Sequence, residues 1–192
     1  MYLSEEERSV IIGSLLGDGY LERNGKYFRL QITHSIKQKD YLVWKMDKLK
    51  NLTNGKIYIY RTSCRFRTKT LPIFKKFYRM FYVNGVKRIP SNIHTLLKND
   101  LVLSVWFMDD GNIRKIKDKV YGYYLNTQGF SREDNIKLIK AFYEVYGWEL
   151  LPLENKNKLR LYIPGYYVKE FREKINKYII PSLRYKLWPR RD

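Results

Sequence analysis

The chain has 192 residues, with 38 Lys and Arg against 19 Asp and Glu, a formal net charge of +19. Its 18 Tyr, 9 Phe and 4 Trp exclude a disordered basic tail, and its single cysteine, Cys64, excludes a disulfide framework or a Cys-based zinc site. No apolar run approaches the roughly 18 residues of a membrane span, and the acidic start MYLSEEERS is neither a signal nor a transit peptide, as expected of an intracellular protein.

In chain order, helical periodicity runs over 4–16, continues at Leu42, Met46, Leu49 and Leu52, and returns at Ile73, Phe77 and Met80. It recurs over 100–109, at Ile136, Ile139, Tyr143 and Tyr146, and at Val168, Phe171, Ile175 and Tyr178. Between these lie alternating stretches that predict strands: 26–33, 56–60, 65–69, 120–127 and 159–163. Asn24-Gly25 and Asn54-Gly55 are turn signals. No linker divides the chain, and 85–92 (GVKRIPSN) is the best candidate for a joint.

The elements fall into an α-β-β-α-β-β-α order stated twice, over 1–97 and 98–192, with net charges of +12 and +7. IIGSLLGDG at 11–19 faces LSVWFMDDG at 103–111. Thr33-His34 falls opposite Thr127-Gln128, and Lys87-x-x-Pro opposite Lys186-x-x-Pro. The expected fold is α+β: a pseudo-twofold pair of antiparallel sheets with helices packed behind. Two basic halves point to a polyanion gripped along its length, nucleic acid before an anionic membrane surface.

Alone, Asp-Gly after an apolar helix is a helix stop. Yet an anion at the negative end of a helix dipole loses roughly 0.3–1 kcal/mol, which a bound cation reverses. Asp18 and Asp110, one per half, therefore suggest a shared metal-dependent centre. Gly13 and Gly17, four residues apart, would let the second motif helix approach closely.

With these residues in view the sequence resembles the LAGLIDADG homing endonucleases in their single-chain, two-motif form. The resemblance implies two curved sheets forming a DNA-binding saddle. It implies Asp18 and Asp110 as metal ligands for Mg²⁺, with Mn²⁺ able to substitute. It places His34 and Gln128 as water-ordering strand-end residues and Lys87 and Lys186 as active-site lysines. Asp109 is an extra acid beside Asp110, and Ser104-Val105-Trp106 stands where small residues are usual. The implied activity is site-specific double-strand cleavage of DNA at a long asymmetric target, by a monomer, across the minor groove, leaving short 3′ overhangs. An RNA maturase acting on its host intron RNA, or an inactive sequence-specific DNA-binding protein, are the alternatives.

Alternation assigns the DNA-binding face. Tyr27, Arg29, Gln31 and Thr33 share one side of their strand, as do Arg65, Arg67 and Lys69, and Lys158, Arg160 and Tyr162. Arg and Gln read G and A edges in the major groove, while phosphate contacts supply most of the affinity.

Overall fold

A computed structural model describes residues 2–155 and 158–189. The first repeat runs α1 (Glu5–Leu16), β1 (Tyr20–Asn24), β2 (Tyr27–Ser35), α2 (Lys39–Lys48), β3 (Thr53–Tyr60), β4 (Ser63–Thr68) and α3 (Phe74–Phe81). A short hairpin, β5 (Tyr82–Val83) and β6 (Val86–Lys87), and the short α4 (Ile93–Leu97) follow. The second repeat runs α5 (Asp100–Asp110), β7 (Gly111–Ile116), β8 (Lys119–Leu125), α6 (Arg132–Tyr146), β9 (Leu151–Asn155), β10 (Lys158–Pro164) and α7 (Val168–Ile175). The two four-stranded antiparallel sheets have the same order, β1-β2-β4-β3 and β7-β8-β10-β9. No helix among the described residues is long and apolar enough to cross a membrane.

The two motif helices begin with side-chain caps. Ser4 Oγ accepts the Glu7 N–H at 3.1 Å while the Glu7 carboxylate accepts the Ser4 N–H at 2.9 Å, a capping box that fixes the start of α1. Asn99 accepts the Leu101 N–H at 2.9 Å to start α5. Both helices are buried around nearly their whole circumference, as suits a central pair. They pack on each other through Gly13, where an added Cβ would lie 2.6 Å from Val105 Cβ and 2.8 Å from Val102 O. Gly13 and Val105 occupy the same motif position, so one glycine suffices for close approach. Trp106 turns away from the crossing and packs toward Phe142, ring centroids 6.1 Å apart.

Three local expectations change. Asn54-Gly55 is not a hairpin turn: it lies inside β3, where Gly55 takes φ 71° and the register with β4 shifts between Thr53 and Ile57. That is a bulge, the other use of a left-handed glycine in a strand. The turn between β3 and β4 falls at Arg61-Thr62. On α6, Ile136 and Tyr143 are 44% and 59% exposed; the helix buries Leu138, Ala141 and Phe142 instead. The 85–92 joint is tied down, because Arg88 Nε meets Asp134 at 3.0 Å and its Nη2 meets Glu133 at 3.2 Å, both on α6.

Candidate active site

The carbonyl ends of α1 and α5 meet near the pseudo-twofold axis, and neither helix carries a basic residue in its last turn. Distant lysines satisfy them. Lys87, on β6, donates to Gly17 O at 2.7 Å and Gly19 O at 2.9 Å. Lys186, in the 3₁₀ turn Pro181–Lys186, donates to Met108 O at 2.5 Å and Asp109 O at 2.9 Å. Gly17 and Asp109 are equivalent motif positions, so the two lysines stand in corresponding places. Burial lowers both ammonium pKa values, against the pull of the three aspartates nearby.

Asp18 and Asp110 leave these helix ends in different surroundings. The Asp18 side chain is 44% exposed, and its Oδ2 lies 3.3 Å from His34 Nδ1. Burial pushes its pKa up, but the contact and charge of His34, with Lys45 and Lys186, hold it below the ordinary value. Asp110 has no such partner; burial first, then the charges of Asp109 and Asp18, raise its pKa to about 7. Asp109 points into the protein, where Lys45 Nζ reaches its two carboxylate oxygens at 2.6 and 2.8 Å and the Tyr41 hydroxyl donates at 2.8 Å. Burial and the Asp109 charge push the Tyr41 phenol well above its usual pKa.

Sheet register places the strands beside the two aspartates. Tyr20, two residues past Asp18, pairs with Gln31; Asn112, two residues past Asp110, pairs with Tyr124. His34, three residues past Gln31, is still in β2 and is buried; β8 ends at Leu125, and Thr127 beyond it is buried too, its N–H turned back to Leu125 O at 3.0 Å. Thr127 is closed into the loop by Asn135 Oδ1 at 2.5 Å. Gln128 makes no hydrogen bond among the described residues. Beside Asp110 stand two residues the sequence reading missed: the Asn126 N–H donates to Asp110 O at 3.0 Å, and its side chain donates to Asn112 Oδ1 at 3.0 Å.

The donor set suits a hard divalent cation. Asp18 and Asp110 offer carboxylate oxygens, and Lys87 and Lys186 are engaged by backbone carbonyls rather than by these carboxylates. Burial first, and then the charges of Asp109 and Asp18, oppose ionisation of Asp110 despite Lys87 and Lys186, and a bound cation would offset that. Asp18, His34 and Asp109 also bring ligand-type atoms within 4.8 Å of one another, but both Asp109 oxygens already hold Lys45.

The outward sheet face is ordered. Burial alternates strictly along β2 from Tyr27 to His34, with Tyr27, Arg29, Gln31 and Thr33 on the open side. Gln31 Oε1 accepts from Arg67 Nε at 2.9 Å and Arg65 Nη1 at 3.3 Å, while Glu22 pairs with Arg29 at 2.6 Å and Arg67 at 3.2 Å. Arg65 lies over the Tyr60 ring at 4.6 Å. In the second sheet Arg160 covers Tyr124 at 3.8 Å and Arg114 covers Tyr162 at 5.0 Å. Lys69 and Lys158 are exposed. Tyr162 departs from the expected outward contact: it is 7% exposed and its hydroxyl donates to Tyr121 O at 2.5 Å, so it supports Arg114. Tyr60, Arg114 and Tyr124 join the face; only the shorter or glycine-broken alternation of their strands hid them.

Two acidic motif helices, each capped by a distant lysine and each carrying its own basic sheet, define a single-chain, two-motif architecture. The profile of the LAGLIDADG DNA endonuclease family matches residues 8–171, and the chain belongs to that family. It is 28% identical to the DNA endonuclease I-ChuI of Chlamydomonas applanata, over 97% of this chain and 96% of the relative. It is 30% identical to the RecA protein of Mycolicibacterium chitae over 98% of this chain; there the chain spans about half, 48%, of the relative's length. The solved structure of the homing endonuclease I-WcaI bound to its DNA recognition sequence superposes with a TM-score of 0.90 at 28% identity, covering 97% of this chain and 88% of that one.

Proposed function

We propose that this chain is a site-specific, metal-dependent double-strand DNA endonuclease that acts as a monomer on a long asymmetric target. The observation that carries the reading is the paired set of helix ends: Asp18 just past α1 and Asp110 at the end of α5, one from each repeat and near enough for their charges to interact, flanked by Lys87 and Lys186. Asp18 and Asp110 would hold a divalent cation, Mg²⁺ or Mn²⁺. When bound it supplies Lewis acidity toward the attacking water and the scissile phosphate.

The remaining work falls to the chain's own groups. The two sheet faces hold the duplex, with Arg29, Arg65, Arg67, Lys69, Lys158 and Arg160 on phosphates and base edges. His34, buried with Nδ1 against Asp18, orders water at the first strand's phosphate. On the other side Asn112 and Asn126 are better placed for that task than Gln128, because Asn126 is bonded to the Asp110 backbone. Lys87 and Lys186 offset the charge that develops at the phosphates. One centre per strand yields a double-strand break.

The test is selection of a cut site from a randomised duplex library, followed by Asp18→Asn and Asp110→Asn on that site. Each variant is expected to bind the duplex with affinity within threefold of the parent and to lose double-strand cleavage. Full double-strand cleavage by Asp18→Asn would overturn the assignment.

A further inference from the structure

Asp109 sits where the family motif of the first repeat has Gly17, and the two positions face each other across the helix pair. A Cβ built on Gly17 would fall 2.5 Å from Asp109 Cβ and 2.5 Å from its Oδ2. The axis therefore has room for one side chain, and the second repeat supplies it. Its bonds go to the first repeat. Lys45 and Tyr41, one turn apart on α2, hold the carboxylate, and Oδ2 also accepts the Asp18 N–H at 3.1 Å. The Lys45 and Asp109 side chains are both fully buried.

His34 is the second member of this cluster. Its ring lies against Tyr41, centroids 4.8 Å apart, and its side chain is 2% exposed. Nδ1 faces Asp18, while Nε2 is buried without a hydrogen-bond partner, 3.8 Å from Asp109 Oδ1. The Asp109 carboxylate thus fixes the backbone of Asp18 directly. Through Tyr41 it fixes the wall against which His34 rests. The second repeat has no counterpart: Gly17 has no side chain to offer Asp110, and the buried face of α6 carries Asp134, Asn135, Leu138, Ala141 and Phe142 but no cation.

We infer that Lys45 and Asp109 form a positioning pair that serves the Asp18 and His34 centre alone, so that only one of the two strand-cutting centres is built across the pseudo-twofold axis. This inference rests on the endonuclease reading proposed above. A buried ammonium persists in a core only against a paired anion. The pair is therefore a rigid strut between the repeats, with neither partner replaceable alone.

The test uses the full chain and the selected duplex, each strand carrying its own label, under single-turnover conditions at saturating protein. His34→Ala identifies the strand served by the first centre. The double variant Lys45→Met/Asp109→Leu replaces the pair by apolar groups of similar size, a change that folded proteins commonly accept. It is expected to slow the strand that His34→Ala slows by tenfold or more and to leave the other strand within twofold. Equal slowing of both strands, or of neither, overturns the inference. Should thermal denaturation find the double variant unfolded, the near-isosteric uncharged pair Lys45→Gln/Asp109→Asn answers the same question with the same strand selectivity expected. Lys45→Arg, which keeps a cation on Asp109, should slow that strand less than the double variant does; equal slowing of both strands by Lys45→Arg would mark a general packing role and overturn the assignment. A wild-type chain that cuts neither strand of any selected duplex defeats the endonuclease reading itself. A wild-type chain that cuts both, with no strand selectivity in the variants, defeats only the strut.

Discussion

Gly13→Ala adds a single methyl group at the tightest point of the helix pair. The new carbon would lie 2.6 Å from Val105 Cβ, 2.8 Å from Val102 O and 2.9 Å from Val105 Cγ1. Ordinary carbon contacts are about 3.5–4.0 Å, so α1 and α5 must separate by roughly 1 Å. Two of the three obstacles, a Cβ and a carbonyl, are fixed to the backbone and cannot rotate away. Overpacking of this kind costs about 1–3 kcal/mol, and the better helix propensity of alanine returns about 1 kcal/mol. The net loss is about 0–2 kcal/mol, or a fall in Tm of roughly 0–8 °C for a domain this size. The paired substitution Gly13→Ala/Val105→Gly removes two of the three obstacles but leaves the Val102 carbonyl, so it restores the separation only in part and moves the glycine penalty to α5. Denaturant melts and single-turnover cleavage should therefore dissociate: the single variant is slower at the phosphates because Asp18 and Asp110 are splayed, and the pair regains rate without regaining stability. A Gly13→Ala protein more stable than wild type with unchanged cleavage would refute the contact argument.

Asp110 makes the metal-free protein sensitive to pH. Its folded-state pKa is about 7 against an ordinary 3.8, so the folded protein keeps a proton that the unfolded chain releases. Stability should fall as pH rises from about 4 to about 7, by at most about 4 kcal/mol, and level off above; denaturant midpoints that run parallel for wild type and Asp110→Asn across this window would contradict it. Lys186→Met leaves Met108 O and Asp109 O without their donor, a cost of about 1–3 kcal/mol, and should slow cleavage at saturating protein with little change in affinity. An unchanged saturated rate would reduce this lysine to a helix cap. Arg67→Ala leaves Gln31 to Arg65 and Glu22 to Arg29 and should weaken binding by about 1–3 kcal/mol with relaxed preference at one or two base pairs; a uniform loss on all sequences with a salt slope smaller by about one would mean a phosphate contact instead.

The repeated elements were legible because each obeys one period. β2 buries Phe28, Leu30 and Ile32 at every second residue; α3 buries Phe77 as expected, but Phe74 and Phe81 rather than Ile73 and Met80, which are half-buried. Where a signal has two physical meanings, sequence could not choose. Asn54-Gly55 supports a turn or a bulge, and only the partner strand decides. Lys45 was invisible for another reason. It lies on the same buried side of α2 as Tyr41 and Leu42, and a lysine in such a stripe signals a buried anion, but nothing local names Asp109, 64 residues away. The one available hint was the surplus acid of Asp109-Asp110.

The axis between the repeats explains why a fused chain can do what two identical chains cannot. In a symmetric pair each motif residue faces its own copy, so any side chain that fills the crossing meets itself. Here the paired positions differ: Val105 covers Gly13, and Asp109 covers Gly17. The first repeat yields space at both levels and the second fills it. One filling is apolar and fixes the distance between α1 and α5. The other is charged, and its charge is answered by Lys45 on the first repeat's α2. A duplicated first repeat would leave two buried lysines without an anion; a duplicated second repeat would press two aspartates into the space of one. The asymmetry by which the two sheets present different side chains thus extends to the helix pair, where each repeat supplies what the other lacks.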